Sequence, residues 1–167
     1  SPRQVEPKLP ALVRAVLAES GLPSQRLTLE VTEGTAMADD QEMQQVFEEL
    51  YTMGVRFAID DFGTGHSSLA RLRTLPVNQL KIDRSFVSSL EEDAENAVLI
   101  SAIIALSHGS GLLAVAEGVE TEEQLRLLVE LGCDRAQGFL LGRPVDTSTA
   151  SALLRRSETG EGVAHSA

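Results

Sequence analysis

Two adjacent carboxylates, Asp60 and Asp61, follow the apolar start of "FAIDDFGTG" (57–65) and precede a glycine-rich turn. Two negative charges on consecutive residues repel each other, so protons or cations must offset them. Carboxylate oxygens suit hard divalent cations such as Mg²⁺ or Mn²⁺. One member of the pair can bridge two ions while the other holds the second ion, and two ions about 3.5–4 Å apart promote in-line displacement at phosphorus. The pair therefore predicts a metal-dependent site for phosphoryl chemistry.

Four more polar residues lie at or near the ends of other predicted strands. They are Glu30 in "LTLEVTE", Lys81 in "QLKID", Glu117 in "LLAVAE" and Gln137 in "RAQGF". Lys81 adds a positive charge that could orient a water or neutralise developing charge. Each residue taken alone also fits an ordinary turn or surface role. Their order on consecutive units favours one shared site.

Predicted strands and helices alternate along the chain. Apolar periodicity predicts helices over 8–20, 39–54, 67–75, 94–111, 121–132 and 148–156. Strands are predicted over 27–33, 55–60, 79–83, 112–117 and 135–139. Because no hairpin turn signal joins neighbouring strands, the pattern predicts parallel βα units of the α/β class.

Two parallel architectures compete for this pattern. A doubly wound nucleotide-binding sheet would carry a phosphate loop, but "GTGHSS" has neither the lysine of a P-loop nor the spacing of a dinucleotide fingerprint. A TIM-like (β/α) barrel places polar residues at the carboxyl ends of many strands, facing one mouth. We therefore expect the barrel. A complete barrel has eight strands and roughly 250 residues, so we expect it to be N-terminally incomplete in this chain.

Amino-acid composition limits the partners, the location and the metals expected for the chain. The 167 residues carry a formal net charge of −11, which argues against nucleic acid as a partner. No apolar run is long enough for a membrane segment, so we expect a cytoplasmic chain, which still allows membrane-anchored domains upstream. The single cysteine, Cys133, fits a reducing compartment and a small buried role. The spacing of the three histidines forms no ligand cluster, which favours Mg²⁺ or Mn²⁺ over zinc.

Five short motifs occur in order along residues 1 to 155. They are "LEVTE", "AIDDFGTGHSSL", "LKIDRSFV", "AEGVET" and "QGFLLGRP". Together they resemble the signatures of the EAL-domain cyclic di-GMP phosphodiesterases. The resemblance implies a modified (β/α) barrel that uses two Mg²⁺ or Mn²⁺ ions to hydrolyse cyclic di-GMP to linear pGpG in bacterial second-messenger signalling.

The resemblance also implies roles for individual residues. Glu30, Asp60, Asp61 and Glu117 match metal ligands, with Asp60 bridging the two ions and Asp61 on the second. Lys81 matches the lysine near the attacking water, Glu117 has also been proposed as general base, and Gln137 matches a residue that holds a water at the metals. Glu33 matches the glutamate that anchors the "DFGTG" loop, which couples the metal site to dimerisation in the family.

Two ligands of the family are absent from this chain: the glutamate of the "EAL" signature and an asparagine. His66 also stands where a tyrosine is common. We expect a partial EAL-type barrel domain over 1–156, a disordered tail over 157–167, a homodimer in the complete protein, and sensory or regulatory domains upstream. The alternative function is a catalytically inactive EAL-like module that binds cyclic di-GMP or another protein. The intact ligand positions within the chain favour the enzyme.

Overall fold

A single parallel sheet organises the chain. The structure, a computed structural model, describes residues 8–37, 40–63, 72, 75–91 and 93–158. Five strands lie in the order β1-β2-β3-β4-β5, and every neighbouring pair is parallel. The strands are β1 (Thr28–Thr32), β2 (Arg56–Phe62), β3 (Gln79–Ile82), β4 (Leu113–Glu117) and β5 (Arg135–Gln137). Sequential parallel strands joined by helical crossovers are the pattern of a (β/α) barrel, as predicted.

Helices connect and flank these strands. They are α1 (Leu9–Ser20), α2 (Glu33–Ala36), α3 (Gln41–Thr52), α4 (Arg84–Ser88), α5 (Ala94–Gly109), α6 (Glu122–Glu130) and α7 (Thr147–Glu158), with a short 3₁₀ turn at Ser24–Arg26. The side chains of Asp40, Asp83, Asp93 and Thr121 cap the N-termini of α3 to α6. None of the helices in the described part of the chain combines the length and apolar character that crossing a bilayer requires.

Three of the differences from the sequence-based prediction concern residues at or just after strand ends. The second strand was expected to end at Asp60 but runs to Phe62, so both aspartates lie inside it. Glu33 opens helix α2 instead of ending β1. Short helix α4 was not predicted, because its five residues are too few to show periodicity. The helix predicted over 67–75 lies largely outside the described residues.

The core lies between the central strands and the helices that pack on them. Strands β2 and β3 bury Phe57, Ile59, Leu80 and Ile82 almost completely. The ring of Phe47 on α3 meets Phe57 edge-on, with centroids 5.1 Å apart. Strands covered on both sides read as continuous apolar runs, which is why the sequence signal of this part was strong.

The partly exposed carboxylate of Asp134 links three segments of the chain. Asp134, just before β5, accepts a hydrogen bond from the backbone N–H of Ala114 on β4 at 2.8 Å. Its Oδ2 also lies 2.9 Å from Nε2 of His108, in the last turn of α5. The bond from Ala114, followed by the contact with His108, lowers the pKa of Asp134 below its ordinary value of 3.8, against an opposing effect of burial.

We predict that Asp134→Ala lowers the free energy of unfolding by about 1–3 kcal/mol at neutral pH, because the Ala114 N–H loses its acceptor. Asp134→Asn should cost less, since an amide oxygen can still accept that bond. Urea denaturation of the three proteins measures the difference.

The same contact sets a pH dependence with a defined sign. A carboxyl whose pKa is lower in the folded state stabilises the fold above its unfolded pKa, and this contribution disappears as pH falls through the folded pKa. The gap between wild type and Asp134→Ala should therefore shrink from neutral pH toward about pH 2–3. An equal gap at both pH values would contradict the assignment.

Candidate functional site

Four predicted site residues meet at the carboxyl-terminal edge of the sheet. Parallel strands end at the same edge, so Glu30 of β1, Asp60 of β2, Lys81 of β3 and Glu117 of β4 leave the sheet on one side, although none of the four is the direct register partner of another. Lys81 Nζ lies 2.7 Å from Glu30 Oε2 and 2.9 Å from Asp60 Oδ1, and it also pairs with Glu117 Oε1. These four residues are called the Lys81 cluster below.

The Lys81 cluster is buried unevenly. The Lys81 side chain is 6% exposed, whereas those of Glu117, Asp60 and Glu30 are 20%, 27% and 51% exposed. Burial alone would lower the pKa of Lys81, but its close contacts with the carboxylates of Glu117, Glu30 and Asp60 outweigh this effect and raise the pKa. Lys81 is therefore a fixed positive charge across the ordinary pH range.

The environment of Glu117 favours its neutral, protonated form, whereas the environment of Lys81 favours its charged form. Burial raises the pKa of Glu117 above its ordinary value, and the charges of Asp60 and Glu30 act in the same direction. The hydrogen bond and charge of Lys81 oppose these effects without reversing them. A carboxyl whose pKa is raised in a cleft is suited to accept and release a proton.

A bulge in β2 explains how Asp60 and Asp61 can serve the same mouth. Ile59 pairs with Leu80 and Phe62 pairs with Ile82, so the two aspartates together oppose the single residue Lys81. Asp61 has a left-handed backbone, with φ of 56°. In a regular strand adjacent side chains point to opposite faces. The extra residue breaks this alternation at the carboxylate pair.

Asp61 makes a different contact from Asp60. Its carboxyl lies close to that of Asp83, which follows β3. Partial desolvation, followed by the charges of Asp60 and Asp83, raises the pKa of Asp61. Asp83 in turn accepts hydrogen bonds from the backbone N–H and hydroxyl of Ser85, at 2.9 Å and 2.5 Å, and so caps α4. The motif "LKID" held the signal for Asp83, which sequence analysis did not select.

Glu33 lies away from the Lys81 cluster, at the loop that follows β2. It is 6% exposed, and its Oε2 accepts a hydrogen bond from the backbone N–H of Gly63 at 3.2 Å. This is the first glycine of "GTG", and the loop-anchoring role of Glu33 stays a prediction. The rest of that loop, and His66 within it, lies outside the described residues.

The donors at this edge suit a hard divalent cation in their chemistry. They are all carboxylate oxygens, and Asp60 Oδ1 is buried with no hydrogen bond among the described residues despite its ion pair with Lys81. Within those residues, no three acidic, histidine or cysteine side chains are arranged around a common metal position. The Lys81 ammonium lies between the carboxylates instead.

The family model for the EAL domain matches residues 1–144. The chain belongs to the EAL domain family. It is 51% identical over 133 residues to the bifunctional diguanylate cyclase/cyclic di-GMP phosphodiesterase MucR of Pseudomonas aeruginosa, covering 80% of this chain and 19% of that protein. The chain spans about a fifth of the length of the curated relatives it matches.

Solved structures show the same fold. A PaMucR phosphodiesterase in complex with cyclic di-GMP aligns with a TM-score of 0.81 at 48% identity, over 86% of this chain and 58% of that one. Klebsiella pneumoniae BlrP1, in a complex with manganese and cyclic di-GMP, aligns with a TM-score of 0.76 at 29% identity, over 83% of this chain and 36% of the other.

A cleft beside the Lys81 cluster completes this edge of the EAL domain. It encloses about 190 Å³ and is lined by Arg84, Glu117, Gly118, Glu120, Gln137, Gly138 and Phe139. Gln137 pairs in register with Glu117, so the two side chains leave adjacent strands together. Arg84 Nη2 lies 3.3 Å from Glu120 Oε1 across the cleft. Sequence analysis selected Glu117 and Gln137 but not Arg84 or Phe139.

Gly138 permits the close backbone contact that joins the two walls of the cleft. The N–H of Val119 donates to the carbonyl of Gln137, and the N–H of Leu140 donates to the carbonyl of Val119, both at 3.1 Å. A Cβ on Gly138 would overlap with the backbone nitrogen and oxygen of Val119. Only glycine fits between these two hydrogen bonds.

We predict that Gly138→Ala destabilises the EAL domain by about 1–3 kcal/mol or more, because a backbone neighbour cannot move aside as a side chain can. Gly142→Ala is the matched control, since its Cβ would meet nothing within 4 Å. Thermal and urea denaturation compare the two variants. If both cost the same, the contact at Val119 is not what holds Gln137 beside Glu117.

Proposed function

We propose that this chain is part of a metal-dependent phosphodiesterase that hydrolyses cyclic di-GMP to linear pGpG. The observation that carries the proposal is the Lys81 cluster. Three carboxylates and one ammonium from four consecutive strands converge at the edge where barrel enzymes place their active sites. Polar residues distributed at random over a surface would not be expected to converge from four strands at one point.

The relatives support the choice of substrate. The curated name of MucR includes cyclic di-GMP phosphodiesterase activity, and the PaMucR and BlrP1 structures are complexes with cyclic di-GMP. The manganese in the BlrP1 complex supports a divalent cation as cofactor. The choice of Mg²⁺ and the number of two ions rest on the family resemblance and on the preference of hard divalent cations for oxygen ligands.

The reaction is the hydrolysis of one phosphodiester bond. A water oxygen bonds to phosphorus, the bond from phosphorus to the ribose 3′ oxygen breaks, the water gives up a proton, and the leaving oxygen gains one. Glu117, which lies beside Lys81 at the edge of the sheet, is placed to accept the proton from the water. Lys81 is placed to stabilise negative charge that develops on the phosphoryl oxygens.

Glu30, Asp60, Asp61 and Glu117 are the residues that would hold divalent cations. When bound, such ions lower the pKa of a coordinated water and offset charge on the phosphate. Gln137, beside Glu117 on the neighbouring strand, would orient a water by hydrogen bonding. Glu33 would keep the loop after β2 in place through Gly63.

The direct test is to incubate the protein with cyclic di-GMP and Mn²⁺ and to follow pGpG by liquid chromatography. Formation of pGpG that stops when the metal is chelated supports the enzyme. Binding of cyclic di-GMP without pGpG would support the alternative, an inactive EAL-like binding module. No binding and no turnover would favour a role in protein interaction.

In a complete domain, Asp60→Asn should abolish Mn²⁺-dependent turnover while leaving the fold intact. The change removes a charge from a group that faces other carboxylates, so the metal-free protein loses repulsion as well as the pair with Lys81. Circular dichroism checks folding and chromatography measures turnover.

Asp40→Asn is the matched control for this variant, because it makes the same chemical change at the N-cap of α3, outside the Lys81 cluster. Asp40 accepts hydrogen bonds from Glu42 and Met43, and asparagine caps helices as well as aspartate does. Turnover should be unchanged in this control. Wild-type turnover in Asp60→Asn would rule out the metal-ligand role of Asp60.

The wider setting of the chain is also a proposal. The much greater length of the relatives supports additional signalling domains in the complete protein. A homodimer, a cytoplasmic location, and the division into a domain over 1–156 and a tail over 157–167 stay predictions from the sequence.

A further inference from the structure

Lys81 occupies the place where the proposed function requires a cation. Its ammonium contacts Glu30, Asp60 and Glu117, three of the four carboxylates assigned to the metals. A carboxylate oxygen that binds an ammonium hydrogen-bonds along a direction that a metal ion would also use. The same oxygens therefore cannot satisfy both partners fully.

The net charge of the Lys81 cluster favours a divalent cation in this competition. One ammonium offsets one of three negative charges, which leaves a formal excess of two. That excess attracts a divalent cation, and the attraction between close charges is strong where water is largely excluded. Glu30, whose side chain is 51% exposed, is the partner that an entering cation meets first, whereas Asp60 and Glu117 are more buried.

The chemistry of lysine suits an exchange of partners. Its ammonium is a compact charge on a flexible four-carbon stem with three donors that can reorient. Lys81 can therefore give up one carboxylate and keep another without leaving the site. A rigid guanidinium would need a new position for its whole planar group.

We propose that Lys81 is an exchangeable counter-ion of the carboxylates: it holds Glu30, Asp60 and Glu117 together in the metal-free protein and competes with divalent cations for them. This inference rests on the proposed metal site and extends it. Lys81 is then a positioning residue in the metal-free state, in addition to its place in the reaction. The cost of this arrangement is a weaker affinity for metal.

The test compares Mn²⁺ binding by wild type and Lys81→Met, measured without substrate by calorimetry or by the electron paramagnetic resonance of free Mn²⁺. Methionine keeps most of the length of the unbranched side chain and removes the charge. We expect Lys81→Met to bind Mn²⁺ about tenfold more tightly or better, to melt at a lower temperature without metal, and to gain more from added Mn²⁺. Equal or weaker binding of Mn²⁺ would overturn the proposal.

Lys8→Met is the matched control. The chain has two lysines, and Lys8 is exposed at the start of α1. Both substitutions change the net charge by the same amount, so a general effect of charge on Mn²⁺ binding would appear equally in both. The proposal requires that the affinity change in Lys81→Met and stay at the wild-type value in Lys8→Met.

A second measurement uses the wild-type protein and does not depend on whether Lys81→Met folds. Lysine labelled with ¹⁵N at Nζ gives two side-chain signals, one of them from exposed Lys8 as an internal reference. Titration with diamagnetic Mg²⁺ should shift the Lys81 signal and leave that of Lys8 in place. An unchanged Lys81 signal at a Mg²⁺ concentration that saturates binding would overturn the proposal.

The outcomes separate this inference from the proposed function. Tighter Mn²⁺ binding by Lys81→Met without hydrolysis of cyclic di-GMP by wild type would support the counter-ion and reject the phosphodiesterase. Hydrolysis of cyclic di-GMP by wild type, with no gain in Mn²⁺ affinity in Lys81→Met, would support the phosphodiesterase and reject the counter-ion. If neither protein binds Mn²⁺ or Mg²⁺, both proposals fail.

Discussion

The contact between one buried ammonium and three carboxylates constrains strands β1 to β4 of the sheet. A buried charge without partners would destabilise the fold severely, so Lys81 needs Glu30, Asp60 and Glu117 within reach. These residues come from four neighbouring strands. A slip of one residue in any strand would turn its side chain to the opposite face. The register of the parallel sheet and the composition of the site are therefore a single requirement.

The local irregularities of the chain lie where this requirement conflicts with regular structure. The bulge at Asp60 and Asp61 gives two residues of β2 access to one edge, at the expense of a left-handed backbone at Asp61. Gly138 allows the chain after β5 to pass against Val119 without a side chain between them. Strained or specialised backbone of this kind is common at functional sites.

The sequence predicted the strands, their parallel arrangement and the residues of the Lys81 cluster, because apolar runs and strand-end polar residues are visible in one dimension. It did not predict the bulge, since a bulge depends on the pairing of β2 with β3. It also did not predict the contact of Asp61 with Asp83 or of Arg84 with Glu120. These pairs join different βα units, and no spacing within a single unit reveals them.

The two aspartates divide their contacts between different parts of the domain. Asp60 faces Lys81, while Asp61 faces Asp83, the residue that caps α4. The next residue, Arg84, reaches across the cleft to Glu120. A change in charge at the aspartate pair therefore acts on Lys81 through Asp60 and on Asp83, the capping residue of α4, through Asp61.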